Sequence, residues 1–125
     1  MSAGNRKTIL VVEDDRALRT FYRTTLTVAG YAVLTAGDGI EALHQLESHI
    51  PDLVVLDIGL PLLSGHDVRR EIAAHARTQH IPVMVVTGES PPIDPSDFAC
   101  VMRKPVDPDA FLAKVEDCLR KSHKT

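Results

Sequence analysis

Much that would place this chain in a common functional class is missing from it. Two cysteines occur in 125 residues, Cys100 and Cys118, too few for a disulfide framework and lacking thiolate metal spacing. Cys100 lies in an apolar run and Cys118 sits beside Leu119 in a helical pattern, so both read as small core thiols. No apolar run approaches the roughly twenty residues that a membrane helix needs, which argues against a membrane role. Residues 1–8 hold no apolar segment of the signal-peptide kind, so a cytoplasmic location is expected. No basic stripe is present either. Lysine and arginine number 14 against 17 acids, the net charge is −3, and the two signs are mixed along the chain. That balance speaks against direct nucleic-acid binding, which draws on clustered positive charge. Repeats, linkers and low-complexity blocks are absent, and six scattered histidines show no close metal spacing. One domain over residues 1–125 is expected, with 25% charged and 44% hydrophobic residues, as in a globular chain.

What the chain has is an alternation. Apolar runs suited to buried parallel strands fall at residues 8–12, 31–35, 53–56, 82–86 and 98–102. Between them lie helical patterns. Leu18, Phe21, Tyr22, Leu26 and Ala29 recur at three and four residues and end at Gly30. Ala42, Leu43 and Leu46 follow the Gly37-Asp38-Gly39 turn, in a helix that stops before Pro51. A third helix is expected over residues 64–76. A last one runs from about Pro108 to Lys121, with Phe111, Leu112, Val115 and Leu119 on its inner face. Asp15 and Asp38 read as helix N-caps. Strands and helices alternating at these lengths imply a parallel sheet covered on both faces. The rhythm breaks after Thr87, where Pro91, Pro92 and Pro95 exclude a regular multi-turn helix, so the fourth crossover is expected to be short.

The polar residues at the ends of the runs carry the chemistry. Glu13-Asp14-Asp15 follows the first run, Asp57 the third, Thr87 the fourth and Lys104 the fifth. Open α/β sheets bind ligands at the carboxyl ends of their strands. Clustered carboxylates repel unless a cation joins them. Three acids, a hydroxyl and a lysine at one sheet edge suit a divalent metal and a phosphoryl group.

With Asp57-x-x-x-Pro61-x-x-x-Gly65 and Lys104-Pro105 added, the chain resembles the receiver domains of two-component response regulators, over about residues 8–121. The resemblance implies a flavodoxin-like (βα)5 three-layer sandwich with strand order 2-1-3-4-5, its fourth helix here shortened or absent. It implies that Asp57 is the phosphoacceptor. The donor would be a phosphohistidine on a sensor histidine kinase or a histidine phosphotransfer protein, and the receiver would signal to an output protein or effector domain. Magnesium is the implied cofactor, held by Asp14, Asp57, the Gly59 backbone carbonyl and, through water, Glu13. Thr87, Gly88 and Lys104 are the implied phosphoryl-binding and switch residues. Pro105 is a candidate for a cis peptide bond. Gly59 and Glu89 flank the phosphoryl position and are expected to tune its lifetime. Such a chain phosphorylates and dephosphorylates itself and is not an enzyme acting on other substrates.

Two departures touch signalling. Val101 stands where many receivers carry an aromatic switch residue, and a β-branched valine has one stiff rotamer and no ring to move. The Pro-rich stretch stands where receivers carry their fourth helix, and phosphorylation is expected to reorganise residues 88–97. These departures favour the main alternative, a pseudo-receiver that docks or dimerises without phosphotransfer; the intact Glu13, Asp14, Asp57, Thr87 and Lys104 set opposes it. An aspartyl phosphohydrolase would want a second aspartate where Gly59 stands. A flavin binder would want a phosphate loop where Glu13-Asp14-Asp15 would repel one.

Overall fold

In a computed structural model the chain is described over residues 6–60, 62–88 and 98–121. Five strands, β1 (Thr8–Val12), β2 (Ala32–Ala36), β3 (Leu53–Asp57), β4 (Val83–Thr87) and β5 (Cys100–Arg103), form one parallel sheet in the order β2-β1-β3-β4-β5. Four helices accompany them, α1 (Arg16–Val28), α2 (Gly39–Leu46), α3 (Gly65–Ala74) and α4 (Pro108–Lys121). Among the described residues no helix lies between β4 and β5; Pro61, Glu89 and residues 90–97, where the sequence places the Pro-rich stretch, lie outside them. No helix among the described residues is long and apolar enough to cross a membrane.

Alternation along the strands makes two cores, one on each face of the sheet. Leu10, Val12, Val54, Leu56 and Val85 face Ala42 and Leu46 of α2 and Val68 and Ile72 of α3. Ile9, Val11, Val55, Met84 and Val86 face Tyr22 and Leu26 of α1 and Phe111, Val115 and Leu119 of α4. β4 is buried along its whole length, and β1 and β3 are buried except at Thr8 and Asp57; each buried Val, Leu or Ile side chain contributes about 1.5–3 kcal/mol relative to exposure. Cys100 and Cys118 are buried free thiols in the second core, and burial in apolar surroundings, joined by the neighbouring Cys100, pushes the Cys118 thiol upward.

The helix starts are fixed by side chains. Asp15, Asp38 and Ser64 each accept a backbone N–H three residues on, from Leu18, Glu41 and Asp67, satisfying amides that the first turn leaves without partners. Four strands end one residue beyond the sequence reading, among them β2 at Ala36 and β5 at Arg103. β3 continues to Asp57, which pairs in register with Val86, and β4 to Thr87, which pairs with Arg103. Ladder hydrogen bonds use the backbone and carry a strand past its last apolar side chain. β5 begins later than the apolar run: Phe98 leaves the ladder and lies against α3, its ring 5.9 Å from that of His66 and 5.8 Å from the Arg69 guanidinium.

Candidate functional site

The register brings the carboxyl ends of β1, β3, β4 and β5 to one edge. Glu13 follows β1 directly and its N–H donates to Ala36 O at 3.0 Å, so the acidic turn starts from the sheet itself. Its side chain folds inward and is 2% exposed, while Asp14 and Asp15 are exposed. Among the described residues, Glu13, Asp14 and Asp57 each offer a carboxylate oxygen, all within 4.8 Å of one another.

Asp57 ends β3 with its two oxygens differently engaged. Oδ1 accepts the Gly59 N–H at 3.1 Å, and Oδ2 accepts from Lys104 Nζ at 3.3 Å. The same ammonium lies 3.6 Å from Glu13 Oε1. One lysine therefore bridges two carboxylates that approach from different strands. Burial works to lower the Lys104 pKa, but the charges of Asp57 and Glu13 and their hydrogen bonds outweigh it, and the ammonium titrates above its ordinary range. The acid responds the other way. Loss of water pushes the Glu13 carboxyl up to about 7; the Asp15 N–H and Lys104 oppose this, and the Asp57 charge adds to it.

Backbone packing sets where these groups stand. The Gly65 N–H donates to Ile58 O at 3.1 Å. A Cβ at Gly65 would lie 2.7 Å from Asp57 O and 2.8 Å from Ile58 Cα, so glycine is required for α3 to start this close to the end of β3. Gly39 makes a similar approach, since a Cβ there would meet Leu63 O at 2.6 Å. Leu62, in the loop from β3 to α3, has φ 69° and is 78% exposed. On the other side, Thr87 is fully buried at the end of β4 and its carbonyl accepts the Lys104 N–H at 3.0 Å. A Cβ on Gly88 would sit 3.7 Å from Lys104 Cβ. The Lys104–Pro105 bond is cis, the form that the resemblance made a candidate for Pro105. Val101 is half-buried against the first core.

The structure thus gathers Glu13, Asp14, Asp57 and Lys104 at one edge and sets Thr87 and Gly88 beside Lys104. Gly59 is exposed next to Asp57. Glu89 and Pro61 lie outside the described residues. Two neighbours of the site were not marked by the sequence. Arg19 of α1 reaches back so that Nη1 donates to the Glu13 backbone carbonyl at 2.8 Å. Tyr22 is 1% exposed, its ring stacked on Phe111 at 5.0 Å. Burial first, then the charges of Glu13 and Asp57, pushes its phenol up to about 12. Its apolar neighbours in the helical pattern mark Tyr22 only as core, and nothing local marks Arg19.

The donor set answers whether a metal fits here. It is all oxygen, with two further carboxylates around Asp57 and open access through Asp14, which suits a hard divalent ion that keeps several waters, as magnesium does. Residues 9–116 match the family model of the response regulator receiver domain. The chain belongs to that family. The transcriptional regulatory protein PhoP for alkaline phosphatase synthesis of Bacillus subtilis is 36% identical over 93% of this chain and 50% of its own length. A probable transcriptional regulator, ycf27, of Guillardia theta is 31% identical over 95% of this chain and 48% of its own. The chain therefore spans about half the length of these curated relatives. Among solved structures, the receiver domain of sensor histidine kinase PA1611 from Pseudomonas aeruginosa, with magnesium coordinated in its active-site cleft, superposes with a TM-score of 0.83. It is 25% identical and covers 92% of this chain and 98% of its own. The chemotaxis regulator CheY4 of Vibrio cholerae, 24% identical over 91% of this chain and 99% of its own, shares the fold with a TM-score of 0.85.

Proposed function

We propose that this receiver is a live phosphoacceptor. Asp57 takes a phosphoryl group from a phosphohistidine on a sensor histidine kinase or histidine phosphotransfer protein, and the phosphorylated state alters binding to an output protein or effector domain. The observation that carries the reading is the position of the Asp57 carboxylate, at a strand end between the Lys104 ammonium and two further carboxylates. A carboxylate oxygen is the nucleophile: its bond to phosphorus forms as the bond from phosphorus to the donor nitrogen breaks, leaving an acyl phosphate. Such transfers call for alignment and charge neutralisation more than covalent assistance.

The residues divide that work. Asp14 and Asp57, with the Gly59 carbonyl and with Glu13 through water, would hold magnesium, which supplies neutralisation of the phosphoryl charge. Lys104 pairs with a phosphoryl oxygen once Asp57 has given up its share of the ammonium. Thr87 donates its hydroxyl, and the Gly88 N–H adds a backbone donor. The protein acts on itself and turns over no external substrate. Val101 lends weight to a second reading, a docking module without phosphotransfer, because no ring stands there to transmit a movement of Thr87.

Intact-mass spectrometry after incubation with magnesium and acetyl phosphate separates the two. A live site gains one labile phosphoryl group, absent without magnesium and absent in Asp57→Asn. Failure to gain it, and failure also to bind beryllofluoride, would overturn the phosphoacceptor reading in favour of the docking module.

A further inference from the structure

Asp14 is the most exposed member of the acidic group and projects from the turn between β1 and α1. What fixes it is the peptide that joins it to Glu13. On its amino side that turn is held by the bond from Glu13 N to Ala36 O and on its carboxyl side by the capping bond of Asp15 to Leu18 N. The carbonyl of Glu13, which belongs to the same peptide unit as the Asp14 nitrogen, accepts Nη1 of Arg19 at 2.8 Å. The peptide is planar, so a hydrogen bond to its oxygen restrains the tilt of the whole unit and with it the N–Cα bond from which Asp14 projects.

The guanidinium is itself braced. A Cβ on Gly37 would lie 3.2 Å from Arg19 Nη1 and 3.9 Å from its Cζ, so the turn between β2 and α2 runs directly past it. That turn is pinned by the Gly37 N–H donating to Glu41 Oε1. Arg19 therefore sits between two turns, tied by a hydrogen bond to one and packed against the other.

We propose that Arg19 is a positioning residue for metal binding, setting the Glu13–Asp14 peptide so that Asp14 meets the ion, with Gly37 leaving room for it to do so. The inference rests on the magnesium reading above. It makes a prediction of sign. An arginine acting through its charge alone would repel a cation, and its removal would tighten magnesium binding. An arginine acting through the carbonyl does the reverse.

The test is magnesium affinity by isothermal titration, with urea unfolding in chelator run alongside. Arg19→Met, which keeps length and helix propensity, weakens magnesium binding about tenfold, as loss of an outer-shell partner does. Arg19→Lys, retaining one donor, falls between wild type and Arg19→Met. Gly37→Ala, whose Cβ would meet Glu41 Oε1 at 3.7 Å but none of the carboxylates of Glu13, Asp14 and Asp57, weakens binding in the same direction by a smaller factor. In the Arg19→Met background it adds nothing further, because the group it presses on is gone. Unchanged or tighter binding in a folded Arg19→Met protein overturns the proposal, as does full additivity of the two changes. A wild type that binds no magnesium overturns the metal reading itself and this inference with it.

Discussion

Glu13→Gln isolates a cost that the acidic site imposes on the fold. In the metal-free protein burial holds the Glu13 carboxyl at about 7, against 4.5 for the free side chain. The folded state therefore binds the proton more tightly than the unfolded state does. Below pH 4.5 both states are protonated and the contribution to stability is complete. As pH rises the unfolded chain ionises first, so stability falls, and the loss is finished once pH passes the folded value near 7. That difference between folded and free values corresponds to about 3 kcal/mol in total, most of it lost between pH 5 and pH 8. Glutamine cannot ionise, yet its carbonyl oxygen can still accept the Asp15 N–H that Glu13 accepts at 3.1 Å. Urea unfolding in chelator at both pH values tests this. The variant gains roughly 2–3 kcal/mol on the wild type between pH 5 and pH 8, a relative midpoint shift of roughly 1 M or more. Magnesium favours the ionised site and narrows the gap at pH 8 by stabilising the wild type more. Parallel pH profiles for the two proteins would refute the reasoning.

Other substitutions probe other parts of the account. Gly65→Ala places a Cβ against Asp57 O and Ile58 Cα; it should cost about 1–3 kcal/mol in urea unfolding and slow phosphorylation by acetyl phosphate, and wild-type values for both would contradict the packing argument. Tyr22→Phe removes a buried hydroxyl that has no hydrogen-bond partner among the described residues. Stability should hold or rise by up to about 1 kcal/mol, and a loss of that size would show that the hydroxyl is satisfied. Gly59→Met fills the exposed space beside Asp57, and the decay constant of the phosphorylated protein, followed by intact mass over time, should change; an unaltered constant would remove Gly59 from the rate-tuning positions.

The parts of this molecule that were legible in the sequence are those carried by short-range pattern. The apolar runs ending in Glu13, Asp57, Thr87 and Lys104 located the sheet edge, and Asp15 and Asp38 announced their helices by capping chemistry. Strand limits at Asp57 and Thr87 were set one residue short, because a polar side chain hides a backbone that still pairs. Phe98 read as strand because it is apolar, yet it leaves the ladder to meet His66 and Arg69, a contact between segments about thirty residues apart. Arg19 and Gly39 were illegible for the same reason. The carbonyl that Arg19 holds is six residues away and faces it only after the chain turns, and the tightness at Gly39 exists only once Leu63 has packed upon it.

The central claim, that Asp57 accepts the phosphoryl group, is tested most directly by trapping. Borohydride reduces an acyl phosphate to an alcohol, so the phosphorylated protein treated this way and mapped by peptide mass spectrometry records which carboxylate carried the group. The account predicts homoserine at position 57, dependent on magnesium and lost in Asp57→Asn. Reduction at Asp14 or Glu13, or a magnesium-independent pattern, would contradict it.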